Sequence, residues 1–175
     1  QAVNLNIFGN YREALDIFRE FGQRFPEWEG EFFEVAHFEW AVAAFEFGYY
    51  DEAIEVLMPL AREYERLERP AEALTLLGEV FYANNEFTQA IQSFELAGQI
   101  ADLDPALKRQ ARFQRAWVMY FNQAYEQAQP DFRSVYDEAP GTELGQEALF
   151  WSADANYQIG RYDRAAVEFS QFVNN

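Results

Sequence analysis

Cysteine is missing from this 175-residue chain, which excludes disulfides, thiol catalysis and thiolate metal sites and leaves the compartment open. Histidine occurs once, as His37, and has no second histidine or cysteine with which to complete a metal or nucleophile set. No run of about eighteen uncharged apolar residues is present, so a membrane-spanning helix is not expected. The start, Gln1-Ala2-Val3-Asn4, has neither an initiator methionine nor a basic segment followed by an apolar one, and the chain is expected to be a piece of a longer protein. Calcium-loop spacing, phosphate-binding and dinucleotide glycine patterns and a Gly-x-Ser-x-Gly elbow are all lacking, so neither an enzyme nor a cofactor is expected. Basic residues are scarce as well: 13 Lys and Arg, of which only Lys108 is lysine, stand against 30 acids for a net charge of −17. Such a surface repels a phosphate backbone, so the expected partner is a protein or peptide, a basic one for preference, and not nucleic acid. High-salt adaptation and a genome that favours arginine each account for the missing lysines.

What is abundant is apolar: half of the residues, enough for a substantial core. One short pattern returns five times, a turn residue, an aromatic, two polar residues and alanine, with an apolar residue four further on. The copies begin at Gly9, Gly48, Asn85, Gln123 and Gly160, and their alanines, Ala14, Ala53, Ala90, Ala128 and Ala165, step by 39, 37, 38 and 37 residues. Aromatic, alanine and apolar residue fall at i, i+3 and i+7, one face of a helix, and the small alanine lets a second helix approach. Upstream lies another helical stripe, such as Phe38, Ala41, Val42, Phe45 or Phe113, Ala116, Trp117, Tyr120, weakest at Leu149, Ser152, Ala153, Asn156. Each unit is therefore a helical hairpin with an A and a B helix.

The spacing predicts helices over about 1–8, 11–24, 31–47, 51–66, 71–84, 87–101, 105–121, 125–138, 143–158 and 162–173, with Asp104-Pro105 and Pro140-Gly141-Thr142 as boundaries. Pro59 and Pro130 fall beyond the first turn of B helices and predict kinks there.

These residues resemble the tetratricopeptide repeat family. Its small A-helix residue falls on Ala41, Gly78, Ala116 and Ala153, and its B-helix alanine on Ala53, Ala90, Ala128 and Ala165; its closing proline matches at Pro26 and Pro140 only. His37, Leu74, Arg112 and Leu149 stand where the family usually has tryptophan, and the period exceeds the usual length of about 34. The resemblance implies an all-α chain, a right-handed superhelix of about five hairpins in one repeat domain, over 1–26, 31–66, 70–102, 105–140 and 143–175. The last hairpin is similar to repeats of bacterial envelope proteins of the Tol-Pal coordinator and outer-membrane assembly lipoprotein type. That similarity points to a periplasmic or envelope location, with the cytoplasm as alternative.

The family's binding surface is the concave face lined by A helices. Carried over, it comprises Phe38, Val42 and Phe45 in the second hairpin, Glu79 and Tyr82 in the third, Phe113, Trp117 and Phe121 in the fourth, and Phe150, Trp151 and Tyr157 in the fifth, with Asp154 among them. About half of these aromatics are expected to serve packing alone. Aromatics mixed with acids suit a peptide with apolar anchors and positive charge. His37 is expected to be structural, the acids at helix ends to cap or be solvated, and Lys108, Arg109, Arg112 and Arg115 to pair with acids of the neighbouring hairpin. Two alternatives stay open: a self-associating module stacking through Ile7-Phe8 and Phe169-Phe172-Val173, and a regulatory domain of a larger enzyme.

Overall fold

A computed structural model describes residues 1–7, 9–25 and 32–174 of the chain. Phe8, Pro26 and the expected helix start at residue 31 lie outside the described residues. Among the described residues there are ten α-helices, one 3₁₀ turn and no strand: α1 (Ala2–Ile7), α2 (Tyr11–Arg24), α3 (Phe33–Glu46), α4 (Tyr50–Arg62), α5 (Pro70–Ala83), α6 (Phe87–Gln99), α7 (Pro105–Phe121), α8 (Tyr125–Glu138), α9 (Glu143–Gln158) and α10 (Tyr162–Asn174). Odd-numbered helices are the A helices of the hairpins and even-numbered ones the B helices. The chain divides into two compact units, Gln1–Glu86 and Phe87–Asn175, with the boundary between α5 and α6.

The five turn residues all adopt the left-handed backbone, with φ of 75° at Gly9, 76° at Gly48, 61° at Asn85, 60° at Gln123 and 77° at Gly160. Each A helix thereby ends in the same way. The amide after the turn residue reaches back five positions, as from Tyr49 to the Ala44 carbonyl and from Ala124 to that of Met119, both at 2.9 Å. This closure caps carbonyls that the helix end leaves open and reverses the chain into the B helix. Asn tolerates such a φ; Gln123 occupies it with a Cβ that costs energy glycine avoids.

The expected 51–66 helix is shorter in the structure. It stops at Arg62 and is followed by a 3₁₀ turn, Tyr64–Arg66. Glu63, Glu65, Arg66, Glu68 and Arg69 are exposed, so this stretch has no apolar stripe to bury and packing gives it no reason to remain α-helical. Helices α4 and α8 continue across Pro59 and Pro130. Each proline removes one ladder amide, but both are exposed, as are Glu55 and Glu126 four residues earlier, so the carbonyls left without a donor face water.

In the first unit α3 packs against α4 and α4 against α5, with α1 and α2 packed on each other and α2 against α3. Ala41, Ala44, Ala53, Leu57, Leu74 and Val80 are buried there. In the second unit each helix from α6 to α10 packs on the next, and the A helices α7 and α9 also touch. Its core gathers Phe113, Ala116, Ala128, Phe132, Val135, Tyr136, Ala148 and Leu149. Ala53, Ala90 and Ala128 are fully buried and Ala165 nearly so, as close hairpin packing requires.

Polar seams join consecutive hairpins inside each unit. Asn6 donates to Glu39, Arg19 forks onto Glu52 at 2.6 to 3.2 Å, and Glu34 accepts the amides of Glu68 and Arg69, both at 2.9 Å. In the second unit Arg133 reaches Glu168 at 3.3 Å and Gln171 donates to the Tyr136 hydroxyl at 2.7 Å. The Arg19–Glu52 seam also receives the Trp40 indole N–H, 2.9 Å from Glu52. Gly22 makes room for that indole, since a Cβ at Gly22 would stand 2.5 Å from the Trp40 ring.

Candidate protein-binding face

Helix α7 carries Phe113, Trp117 and Phe121 at four-residue intervals, along one side of the helix. Helix α9 beside it carries Phe150, Trp151, Asp154 and Tyr157. The two tryptophans meet edge to face, with ring centroids 4.6 Å apart, and Phe121 packs on Trp117 at 4.8 Å. Tyr120 completes the cluster, 5.1 Å from both Trp151 and Tyr125, and donates its hydroxyl hydrogen to the Asp154 carboxylate. Burial pushes the Tyr120 phenol well above its ordinary value, and Asp154 pushes it further, so this hydroxyl keeps its proton.

Exposure divides the carried-over aromatics. Phe113 is buried in the core, edge-on to Phe132 at 5.4 Å, and supports Trp117 from behind. Phe150 packs α9 onto α10 through Phe169 and Phe172, both at 5.6 Å. Trp117 and Trp151 are half-buried, while Phe121 at 50% and Tyr157 at 54% exposure present ring faces to solvent. The second unit thus sets an aromatic patch, walled by two indoles and carrying the Asp154 carboxylate, on two adjacent A helices.

In the first unit Phe38, Val42 and Phe45 lie half-buried on α3, and Glu79 and Tyr82 half-buried on α5. The Arg69 guanidinium stands 5.6 Å above the Phe38 ring, and Phe45 tilts against Tyr50 at 6.0 Å. The structure therefore presents the carried-over residues as two sets, one in each unit.

His37 packs on Phe33 at 3.9 Å, and its Nδ1–H donates to the Phe33 carbonyl at 2.9 Å. Burial lowers its pKa, against the opposing pull of that carbonyl. The neutral ring thus has a packing role. In the basic cluster Arg112 pairs with Glu138, and Arg115 grips Asp131 at 2.8 and 2.9 Å, both on α8 of the same hairpin and not on a neighbouring one as expected; only Glu95, 3.7 Å from Arg115, belongs to the hairpin before. The Asp131 hydrogen bonds outweigh burial and hold the Arg115 guanidinium above its ordinary pKa. Asp104 caps α7 by accepting the Ala106 amide at 2.7 Å, and Asp51 and Glu52 lie in the first turn of α4. Sequence reasoning placed Tyr120 in the packing stripe but not in the binding set; its spacing of three from Trp117 was the available signal. Ser152 and Asn156, which the sequence places only in the weak stripe of α9, and Glu168 of α10 are likewise outside the expected binding set.

Among the described residues no group of His, Asp or Glu is arranged to hold a metal ion, and no helix is long and apolar enough to cross a membrane. The sequence model for the tetratricopeptide repeat matches residues 38–106 and 113–171, well over half of the chain. No curated protein matches by sequence. Among solved structures, a MamA protein superposes with a TM-score of 0.78 at 17% identity, over 99% of this chain and 86% of that one. A Podosopora anserina kinesin light chain-like protein with nearly identical TPR-like repeats gives 0.75 at 15%, over 99% and 90%. The Rap conjugation gene regulator of plasmid pLS20, solved in complex with its Phr peptide, gives 0.58 at 17%, over 99% of this chain and 50% of that one. At such identities the likeness establishes the fold.

Proposed function

The chain belongs to the tetratricopeptide repeat family, whose fold is that of protein-interaction scaffolds, and from that premise we propose that it is a non-catalytic adaptor binding a protein or peptide through its A-helix face. The observation that carries this reading is the patch of Trp117, Tyr120, Phe121, Trp151 and Tyr157 around Asp154. Two of its rings are half-exposed, although neighbouring helices already supply a complete core. The indoles are held by ring contacts on several sides, so little side-chain freedom remains to be lost on binding. The acid favours a partner with a positive charge beside its apolar anchor. The Rap regulator's peptide complex supports a peptide-sized occupant. Affinity capture from the source organism's lysate, comparing the chain with a Phe121→Glu, Tyr157→Glu variant of equal helicity, tests this. Proteins lost by the variant support the face; an unchanged set refutes it.

A second reading, self-association through the last hairpin, rests on one comparison. Val135 and Tyr136 of α8 are buried, whereas their counterparts one repeat later, Phe172 and Val173 of α10, are 37% and 79% exposed. Light scattering over a hundredfold dilution distinguishes the readings, because stacking requires a mass that rises with concentration.

A further inference from the structure

The second unit repeats a polar arrangement with one member changed. Counting from the alanines that fix the register, Arg115 stands one before Ala116, Asp131 three after Ala128, and Glu95 five after Ala90. The Arg115 guanidinium forks onto both Asp131 oxygens and reaches Glu95 at 3.7 Å, tying α6, α7 and α8 with one cation. One repeat later the same positions hold Ser152, Glu168 and Arg133. The acid is kept while the central guanidinium is lost.

Three observations describe what that exchange leaves. A groove of about 830 Å³ opens between α8 and α10, with Glu168, Asn156 and Arg133 in its lining. Glu168, more than nine-tenths buried, is held by the Ser152 hydroxyl at 3.0 Å, the Asn156 amide at 2.9 Å and Arg133 at 3.3 Å, while Arg133 also serves Asp137 at 2.8 Å. Asn156, 1% exposed and lining this groove, has a side-chain oxygen with no hydrogen-bond partner. Asp137, Glu138 and Asp163 line the groove as well, against the cations Arg133 and Arg164, so acids outnumber bases even with Glu138 held by Arg112.

We propose that this groove receives an arginine side chain of a partner protein, its guanidinium taking the role that Arg115 fills one repeat earlier. A planar fork of donors matches what is there: a buried carboxylate whose one cation, Arg133, is shared with Asp137, and an amide oxygen lacking a donor. An ammonium provides the charge without the fork, and an anion meets the surplus of acids. The groove lies between B helices, so it is separate from the A-helix face and does not depend on that reading.

The test is an NMR titration of the intact chain with the blocked tripeptide acetyl-Gly-Arg-Gly-amide and its lysine analogue. The arginine peptide is expected to shift the Asn156 side-chain amide and the Glu168 backbone saturably, binding at least about threefold tighter than the lysine peptide. Glu168→Gln, near-isosteric, is expected to weaken it by about tenfold or more. Ser152→Arg, which places a guanidinium in the groove from within the chain, is expected to abolish it; should that variant fail to fold, Glu168→Gln decides alone. Trp151→Ala is expected to leave this binding intact even if A-helix recognition fails. Absence of saturation, equal binding of the lysine peptide, or no loss in Glu168→Gln would overturn the proposal.

Discussion

Replacing Phe132 by alanine probes the packing on which the second unit rests. The ring is fully buried in α8, edge-on to Phe113 at 5.4 Å and to Tyr120 at 6.3 Å, among Ala116, Val135 and Leu149. Phe→Ala at a site of this kind costs about 3–5 kcal/mol, the lost transfer free energy plus the cavity left by incomplete collapse. Two features place this site toward the upper end. Both edge contacts are lost, at roughly 0.5–1.5 kcal/mol each beyond area burial, and the alanines lining the site have no longer side chain with which to fill the hole. For a chain of this length the expected fall in Tm is roughly 10 °C. Urea unfolding followed by far-ultraviolet circular dichroism and by tryptophan fluorescence measures it, with Gln110→Ala, exposed on α7, as a reference expected within about 0.5 kcal/mol of the parent. A loss below about 1 kcal/mol for Phe132→Ala would refute the view that the hairpins are held mainly by this core.

Gln123→Gly is expected to stabilise the chain by about 0.5–1 kcal/mol, because φ at that turn is 60° and glycine fills the same role at Gly48 and Gly160; a lower Tm in the variant contradicts the left-handed turn. Arg115→Ala is expected to cost about 1.5–3 kcal/mol, the range for hydrogen bonds to a charged group, and adding Asp131→Ala to recover part of it. Strictly additive losses in a double-mutant cycle argue against the ion pair. His37 titrates below its ordinary value because burial disfavours the cation, so as pH falls through about 6.5 the unfolded chain takes up the proton first. The stability contributed by the neutral ring is complete above that pH and declines below it, and the advantage of the parent over His37→Gln should shrink between pH 7 and 5. An advantage constant across that window rules the mechanism out. For Glu52 burial pushes the pKa up, but hydrogen bonds from Arg19 and Trp40 outweigh it and leave the group below its ordinary value. Its contribution is therefore present above that value and lost as the pH falls through the folded pKa, so Glu52→Gln should flatten acid unfolding at its most acidic end.

The repeat was legible because each hairpin announces itself locally. A turn residue, an aromatic, an alanine and an apolar residue at fixed spacing encode a chain reversal and one buried helical face, and every helix but one began and ended within two residues or so of where the pattern placed it. The exception, beyond Arg62, is a stretch whose composition allows a helix but whose polarity gives it nothing to pack against. The candidate site was legible in part. Helical spacing shows that Phe113, Trp117 and Phe121 share a side of α7, but not that Phe113 faces inward and Phe121 outward, since that depends on where α8 and α9 lie. Tyr120 escaped because its tie to Asp154 spans 34 residues. The groove at Glu168 left a fainter trace, the weak stripe of Leu149, Ser152, Ala153 and Asn156. Its polar members weaken the apolar pattern because, among the described residues, they line the hairpin interior that holds the buried carboxylate of Glu168.

The seams between hairpins carry information of another kind. Asn6 with Glu39 and Arg19 with Glu52 join the first two hairpins, Arg115 with Glu95 the third and fourth, and Arg133 with Glu168 the fourth and fifth. Repeats that look alike in their alanines are consequently not interchangeable. A copy of the fourth hairpin set in place of the fifth would bring a second arginine against Arg133, with Asp137 and one shorter acid in the place of Glu168 to serve both. Order along the array is thus inscribed in its charges, and a duplication that lengthened this protein would need compensating changes at the new junction before the added hairpin could seat.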